Sequence, residues 1–238
     1  MRDISKIPFS PDEEIVIATD NSGGIGTKEA DYVYAEDSLT AYFSTRVALM
    51  EVLSVKAVTF SVLLHNFSGD DKWTSYKEGI QTALQEAGIS KISISGSSES
   101  NFPLKQSALG ITVLGKRSVG KIPESSKDKL CYAVIGEPLV GKQVLERKER
   151  VAPLALFSQC CQSQFIFDII PVGSKGILEE LKIISGNRTL SENEVKCKLN
   201  LTASGGPSTC FIIKFTREDS HSVEELTGSF YHPLLIVD

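Results

Sequence analysis

Ile17-Ala18-Thr19-Asp20-Asn21-Ser22-Gly23-Gly24-Ile25-Gly26-Thr27-Lys28 runs from a short apolar strand through an acidic residue into a glycine-rich turn and a lysine. Residues 14–19 have strand composition, which places Asp20 at a strand end, where a carboxylate can leave the sheet and meet Mg²⁺. Gly23, Gly24 and Gly26 permit positive φ and let main-chain N–H groups approach an anion; Thr27 follows them and Lys28 adds a point charge. The spacing is neither GxxxxGK[ST] nor GxGxxG, so the turn is neither a Walker loop nor a dinucleotide fingerprint.

A second junction downstream has the same form. Residues 91–95 alternate like a strand and open into Gly96-Ser97-Ser98-Glu99-Ser100-Asn101-Phe102-Pro103. Each junction pairs a carboxylate with small polar residues, so the two could converge on one polyphosphate and its metals.

The segments TDNSGGIGTK (19–28), RVALMEVL (46–53), GISKISISGSSESNFPLKQSALGITVLG (88–115) and DIIPVGSKGILEEL (168–181) together resemble the aminoimidazole ribonucleotide synthetase-like (PurM-like) superfamily. The resemblance spans nearly the whole chain and is strongest over residues 15–115. It implies an α+β fold of two domains: an N-terminal sheet packed with helices, which pairs across a twofold axis into a dimeric barrel, and a C-terminal α/β sandwich. It also implies ATP and Mg²⁺ as cofactors and a homodimer as the working form. The GSSESNFP loop, the DNSGGIG turn and the compact second half are most similar to the α-ribazole kinase family of cobalamin salvage. That family implies transfer of a phosphoryl group to the ribose hydroxyl of a nucleoside. An ATP-dependent synthetase or cyclo-ligase is the alternative within the superfamily, and a noncatalytic nucleotide-binding relative is the alternative outside catalysis.

By the same resemblance Asp20, Glu51 and Glu99 are the metal ligands, and Asp20, Lys28 and Asp168 the catalytic set. Gly23, Gly24, Gly26, Thr27, Asn66, Ser98, Asn101 and Lys175 are the nucleotide contacts. Glu51 stands where relatives carry an Asn-Asp pair, a departure in this chain. Arg46 falls off the face that carries Glu51 and is expected to be exposed. Gly173-Ser174-Lys175-Gly176, at a helix N-terminus, offers amides and a dipole to a phosphate; a tight connection between strand and helix is the alternative reading. Ser204-Gly205-Gly206-Pro207-Ser208 reads as a plain loop.

The bulk properties agree with a globular enzyme. The chain has 238 residues, 41% of them hydrophobic and 23% charged, with a formal charge of −5. That length buries a sizeable core without covalent staples, and that charge argues against nonspecific nucleic-acid binding. Cys131, Cys160, Cys161, Cys197 and Cys210 lack CxxC spacing and neighbouring histidines, so they indicate neither zinc nor a disulfide framework. No leader-like or membrane-spanning run is legible, and a cytoplasmic location is expected.

Along the chain, apolar residues at three- and four-residue steps predict helices over residues 36–57, capped by Asp37 or Ser38, and 73–87, closed by Gly88. Strands are expected over 57–64, 91–95 and 107–114. The polar, basic stretch 116–129 marks a boundary between domains 1–120 and 121–238. Beyond it, strands are expected over 130–136, 165–172, 210–215 and 234–237, and helices over 139–147, 152–162 and 177–185.

Overall fold

The computed structural model describes residues 4–119 and 130–237. The chain divides into two compact units that meet in sequence at residues 120 and 121. Most of the predicted boundary stretch, residues 120–129, lies outside the described residues.

The first unit opens with a hairpin, β1 (Ile4–Ser10) and β2 (Glu13–Gly23), followed by the two-residue parallel pair β3 (Ile25–Gly26) and β4 (Val33–Tyr34). Then come α1 (Asp37–Ser54), β5 (Val58–Asn66), α2 (Trp73–Glu86), β6 (Ser93–Ser98) and β7 (Ala108–Ser118). The sheet order is β1-β2-β7-β5-β6, antiparallel except for β5 with β6. It is an open sheet, and no barrel closes within the unit. β1 was not expected from sequence: Pro8 interrupts its pattern, and only an edge position beside a bulge accommodates a residue that lacks an N–H.

Both helices lie on one face of this sheet. Val16 and Ala18 of β2, Val62 and Leu64 of β5, and Ile111 and Val113 of β7 pack against Ala48, Leu49, Val52, Tyr76 and Ile80. Strand alternation sends the neighbouring residues to the opposite face, where Ile7, Phe9, Val58 and Phe60 remain exposed.

Four expectations in this unit are corrected. β2 does not end at Thr19; it pairs with β7 through Gly23, so Asp20 lies inside a strand, opposite Ile111. Gly96, Ser97 and Ser98 belong to β6 instead of a loop. Neither Asp37 nor Ser38 caps α1: Glu36 holds the cap position without a side-chain bond, and the Asp37 carboxylate is engaged elsewhere. Arg46 is fully buried, not exposed, with its guanidinium on the Tyr42 hydroxyl. A charge taken out of water needs a polar partner to offset the cost of burial.

The second unit contains β8 (Leu130–Ile135), α3 (Gln143–Glu146), α4 (Leu154–Gln162), β9 (Ile166–Pro171), α5 (Gly176–Ser185), β10 (Val195–Lys196), β11 (Phe211–Thr216), α6 (Ser220–Thr227) and β12 (Tyr231–Ile236). Its sheet runs β10-β12-β8-β11-β9, every neighbouring pair antiparallel. Ile177, Leu181 and Ile184 of α5 pack on Ile170, Ile212 and Val134. The helix expected over 139–147 shrinks to one turn, because Gly141 takes a positive φ just before it.

Candidate functional site in the first unit

The N-terminal half of α1 is polar where its C-terminal half is apolar. Asp37, Thr40 and Ser44 are all buried, and helical spacing sets them along one side. The end of β2 meets this side. Asp20 follows Val16 and Ala18 on the helix-covered face, and its carboxylate accepts a hydrogen bond from the Ser44 hydroxyl. Burial strips water from that carboxylate and pushes its pKa up to about 6, against the opposing pull of the Ser44 and Asn21 bonds. Two residues on, and on the same face, the buried Ser22 Oγ has no hydrogen-bond partner. A desolvated carboxylate beside an orphaned hydroxyl is a place where an arriving cation or proton gains free energy.

The glycine-rich turn closes over this seam and is knit to the rest of the unit. Gly24 N donates to Ser107 O at 2.8 Å, and the N–H groups of Tyr32 and Val33 donate back to Gly24 O. At Gly26 a Cβ would stand 2.3 Å from Ser107 Oγ, so no other residue fits there, whereas Gly23 faces open space. Lys28 N donates to Asp31 Oδ2 at 2.9 Å. The amides of Gly24 and Lys28 are thus consumed within the turn instead of being presented to an anion.

Thr27 sits between two charges. Its hydroxyl donates to Asp37 Oδ2 at 3.1 Å and accepts from Lys72 Nζ at 2.9 Å, while Lys72 also bridges Asp37 at 3.0 Å. The Asp37 hydrogen bond, against a smaller desolvation effect, holds the Lys72 pKa above its ordinary value. Asp37, Lys72, Ser44 and Ser22 were not singled out as site residues from the sequence. The available signal was polar residues recurring on one side of an otherwise apolar helix.

On the other side of the turn, Lys28 lines a cleft of about 520 Å³ with Phe67, Asp70, Asp71, Glu99 and Phe102. Lys28 Nζ donates to Leu104 O at 2.7 Å. Glu99 is fixed by its N–H to Asn66 O and by accepting from Asn101 N at 2.7 Å. Asn66 is buried and spends its side chain internally, donating to Gly69 O and Ser98 Oγ and accepting from Ser68 N.

The structure does not gather Asp20, Glu51 and Glu99 at one point. Asp20 lies on β2 and Glu99 follows β6, with β7 and β5 between, a separation of about 14 Å or more at ordinary strand spacing. Glu51 is two helical turns beyond Ser44, about 10 Å along α1. Among the described residues no three His, Cys, Asp or Glu side chains form a group that could hold a metal ion. A cation at this seam would therefore be held by Asp20 with Ser22, without Glu51 or Glu99.

In the second unit, Asp168 is half-buried on β9, opposite Lys214 in the ladder with β11. Ser174 and Lys175 are exposed before α5. The amide of Gly176 donates to Gly173 O and that of Leu178 to Leu201 O.

No family model and no curated protein matches the chain. Solved structures do. T. maritima PurL complexed with ATP is similar at TM-score 0.64 and 10% identity, over 99% of this chain and 42% of the PurL chain. Thiamine monophosphate kinase from Aquifex aeolicus is similar at TM-score 0.61 and 11% identity, over 100% of this chain and 89% of the other. The HypE-HypF complex follows at TM-score 0.58 and 11% identity, over 99% and 88%. The chain thus spans less than half of the PurL chain and most of the other two. It has a mixed α/β fold whose structural neighbours are PurM-like proteins.

Proposed function

We propose that this protein is an ATP-dependent phosphotransferase that acts, with Mg²⁺, on a hydroxyl of a small nucleoside, with α-ribazole as the favoured acceptor. The observation that carries this reading is the fold shared with thiamine monophosphate kinase along nearly the full length of both chains. The seam of Asp20 and Ser22 supports it, because phosphoryl transfer needs a positioned charge partner more than a nucleophile on the protein. A Mg²⁺ ion arriving with the nucleotide would spread phosphate charge there. Asp20 and Ser22 are the residues that would hold it. Thr27, held between Asp37 and Lys72, keeps the glycine-rich turn in place over them. Within the second unit by itself, Asp168 is proposed as a catalytic residue and Lys175 as a nucleotide contact, and a second copy of the chain is the proposed partner of the first unit's open sheet face.

The test is ATP consumption by the purified protein with Mg²⁺ across a panel of nucleosides including α-ribazole, with product mass read directly. A nucleoside carrying one added phosphoryl unit, absent with Asp20→Asn, supports the kinase. Full turnover by Asp20→Asn removes the site. The scattered carboxylates favour a second reading, a nucleotide-binding protein without catalysis. It expects nucleotide binding that does not depend on Mg²⁺ and no phosphorylated product.

A further inference from the structure

The cleft beside Lys28 has the wrong charge for a polyphosphate. Asp70, Asp71 and Glu99 line it against one lysine, and that lysine's ammonium already donates to Leu104 O. Like charge brought against a desolvated phosphate chain is repelled.

Two aromatic side chains share the same walls. Phe102 is 74% exposed and Phe67 44%, so both rings are free to meet a bound molecule. Hydrogen bonds tie the wall that carries Glu99 to the β5 end: the Glu99 N–H donates to Asn66 O, and the Asn66 side chain bonds Gly69 and Ser98. At about 520 Å³ the cleft has the size of a small-molecule site.

From these features we infer that the cleft receives the unphosphorylated acceptor: a flat heteroaromatic base stacked on Phe102 and Phe67, carrying a sugar whose hydroxyls donate to Asp70, Asp71 and Glu99. Carboxylates only accept, so they suit hydroxyl and N–H donors and reject a second anion. The acceptor class is therefore a nucleoside and not a nucleoside phosphate, and the nucleotide donor binds elsewhere. This inference rests on the kinase reading for the word acceptor, but its test does not.

Trp73 is the only tryptophan and begins α2 directly after the Asp70–Lys72 turn, so its fluorescence is followed as one readout. Wild type and Phe102→Ala are titrated with α-ribazole, adenosine, guanosine and cytidine, with the 5′-phosphate of each, and separately with AMPPCP. Calorimetry runs alongside. Expected are binding of at least one nucleoside, weaker binding of its 5′-phosphate, and about tenfold loss of nucleoside affinity in Phe102→Ala with AMPPCP affinity unchanged. Phe102 is exposed, so an unchanged melting temperature is expected to accompany the loss. The inference is overturned if no nucleoside binds, if the 5′-phosphates bind as tightly, or if Phe102→Ala weakens AMPPCP instead. Binding is read without turnover. A protein that binds nucleosides through Phe102 and phosphorylates none of them retires the kinase and leaves the cleft assignment standing.

Discussion

Asp31 holds Ser107 by both its main-chain N–H and its hydroxyl, each at 2.7 Å, across a sequence separation of 76 residues. With the third bond from Lys28 N, this carboxylate staples the glycine-rich turn to the start of β7. Burial alone would raise its pKa; the Ser107 and Lys28 bonds outweigh that and hold it below the ordinary value. A depressed carboxylate contributes stability above its unfolded pKa and loses it as pH falls through the folded value. Asp31→Ala is expected to cost about 1–3 kcal/mol in urea unfolding at pH 7, and wild type and variant should converge when the melts are repeated in acid.

Asp20 has the opposite sign. Its folded pKa is raised from 3.8 to about 6, so the folded state is favoured below the unfolded pKa and loses that advantage as pH rises through about 6. Asp20→Asn should therefore be more stable than wild type by about 2 kcal/mol at pH 7.5, with the gap closing toward pH 4. Its turnover should fall by about a hundredfold or more, on the scale of losing a charge partner to the transferring phosphate. A variant less stable than wild type at pH 7.5 would contradict the burial argument.

Lys72 and Asp37 form a partly buried pair with Thr27 between them. Removing one partner leaves the other without compensation. Asp37→Ala should lower stability by about 2 kcal/mol or more, and Lys72→Met, which removes the charge but keeps the stem, should lower it less when combined with Asp37→Ala than alone. A double-mutant cycle by chemical denaturation measures this directly.

The face of the first sheet that bears no helix exposes Ile7, Phe9, Val58 and Phe60. Such apolar area on a sheet is stabilised when a second surface covers it. If a second copy does so, Phe60→Asp should shift sedimentation velocity from a dimer toward a monomer while the far-ultraviolet dichroism stays unchanged. A wild-type monomer at tens of micromolar removes the homodimer proposal.

Periodicity located α1 and α2 to within three residues at each end, because an apolar stripe at helical spacing is a local property. The second unit's β8, α4, β9, α5 and β11 were legible for the same reason. β1 was not, since Pro8 is acceptable only in an edge strand and edge position is a fact of sheet order. The turn at 23–28 was legible as a special place, but not its chemistry. Glycine at 26 answers to Ser107 Oγ at 2.3 Å from its missing Cβ, a contact between segments far apart in sequence.

The chain's sequence by itself determined most of the longer helices and strands, that a carboxylate and a glycine-rich stretch lie at the C-terminal end of β2, and that an acidic residue follows β6. Tertiary structure decided what those residues meet. Asp20, within the end of β2, and Glu99, just past β6, look alike in sequence, yet sheet order places β7 and β5 between them. Strand alternation turns Asp20 into a dry seam against Ser44, while Glu99 lines an open cleft with Phe102. Residue type and spacing are written locally; strand order, burial and the loss of water around a charge arise only when distant segments pack.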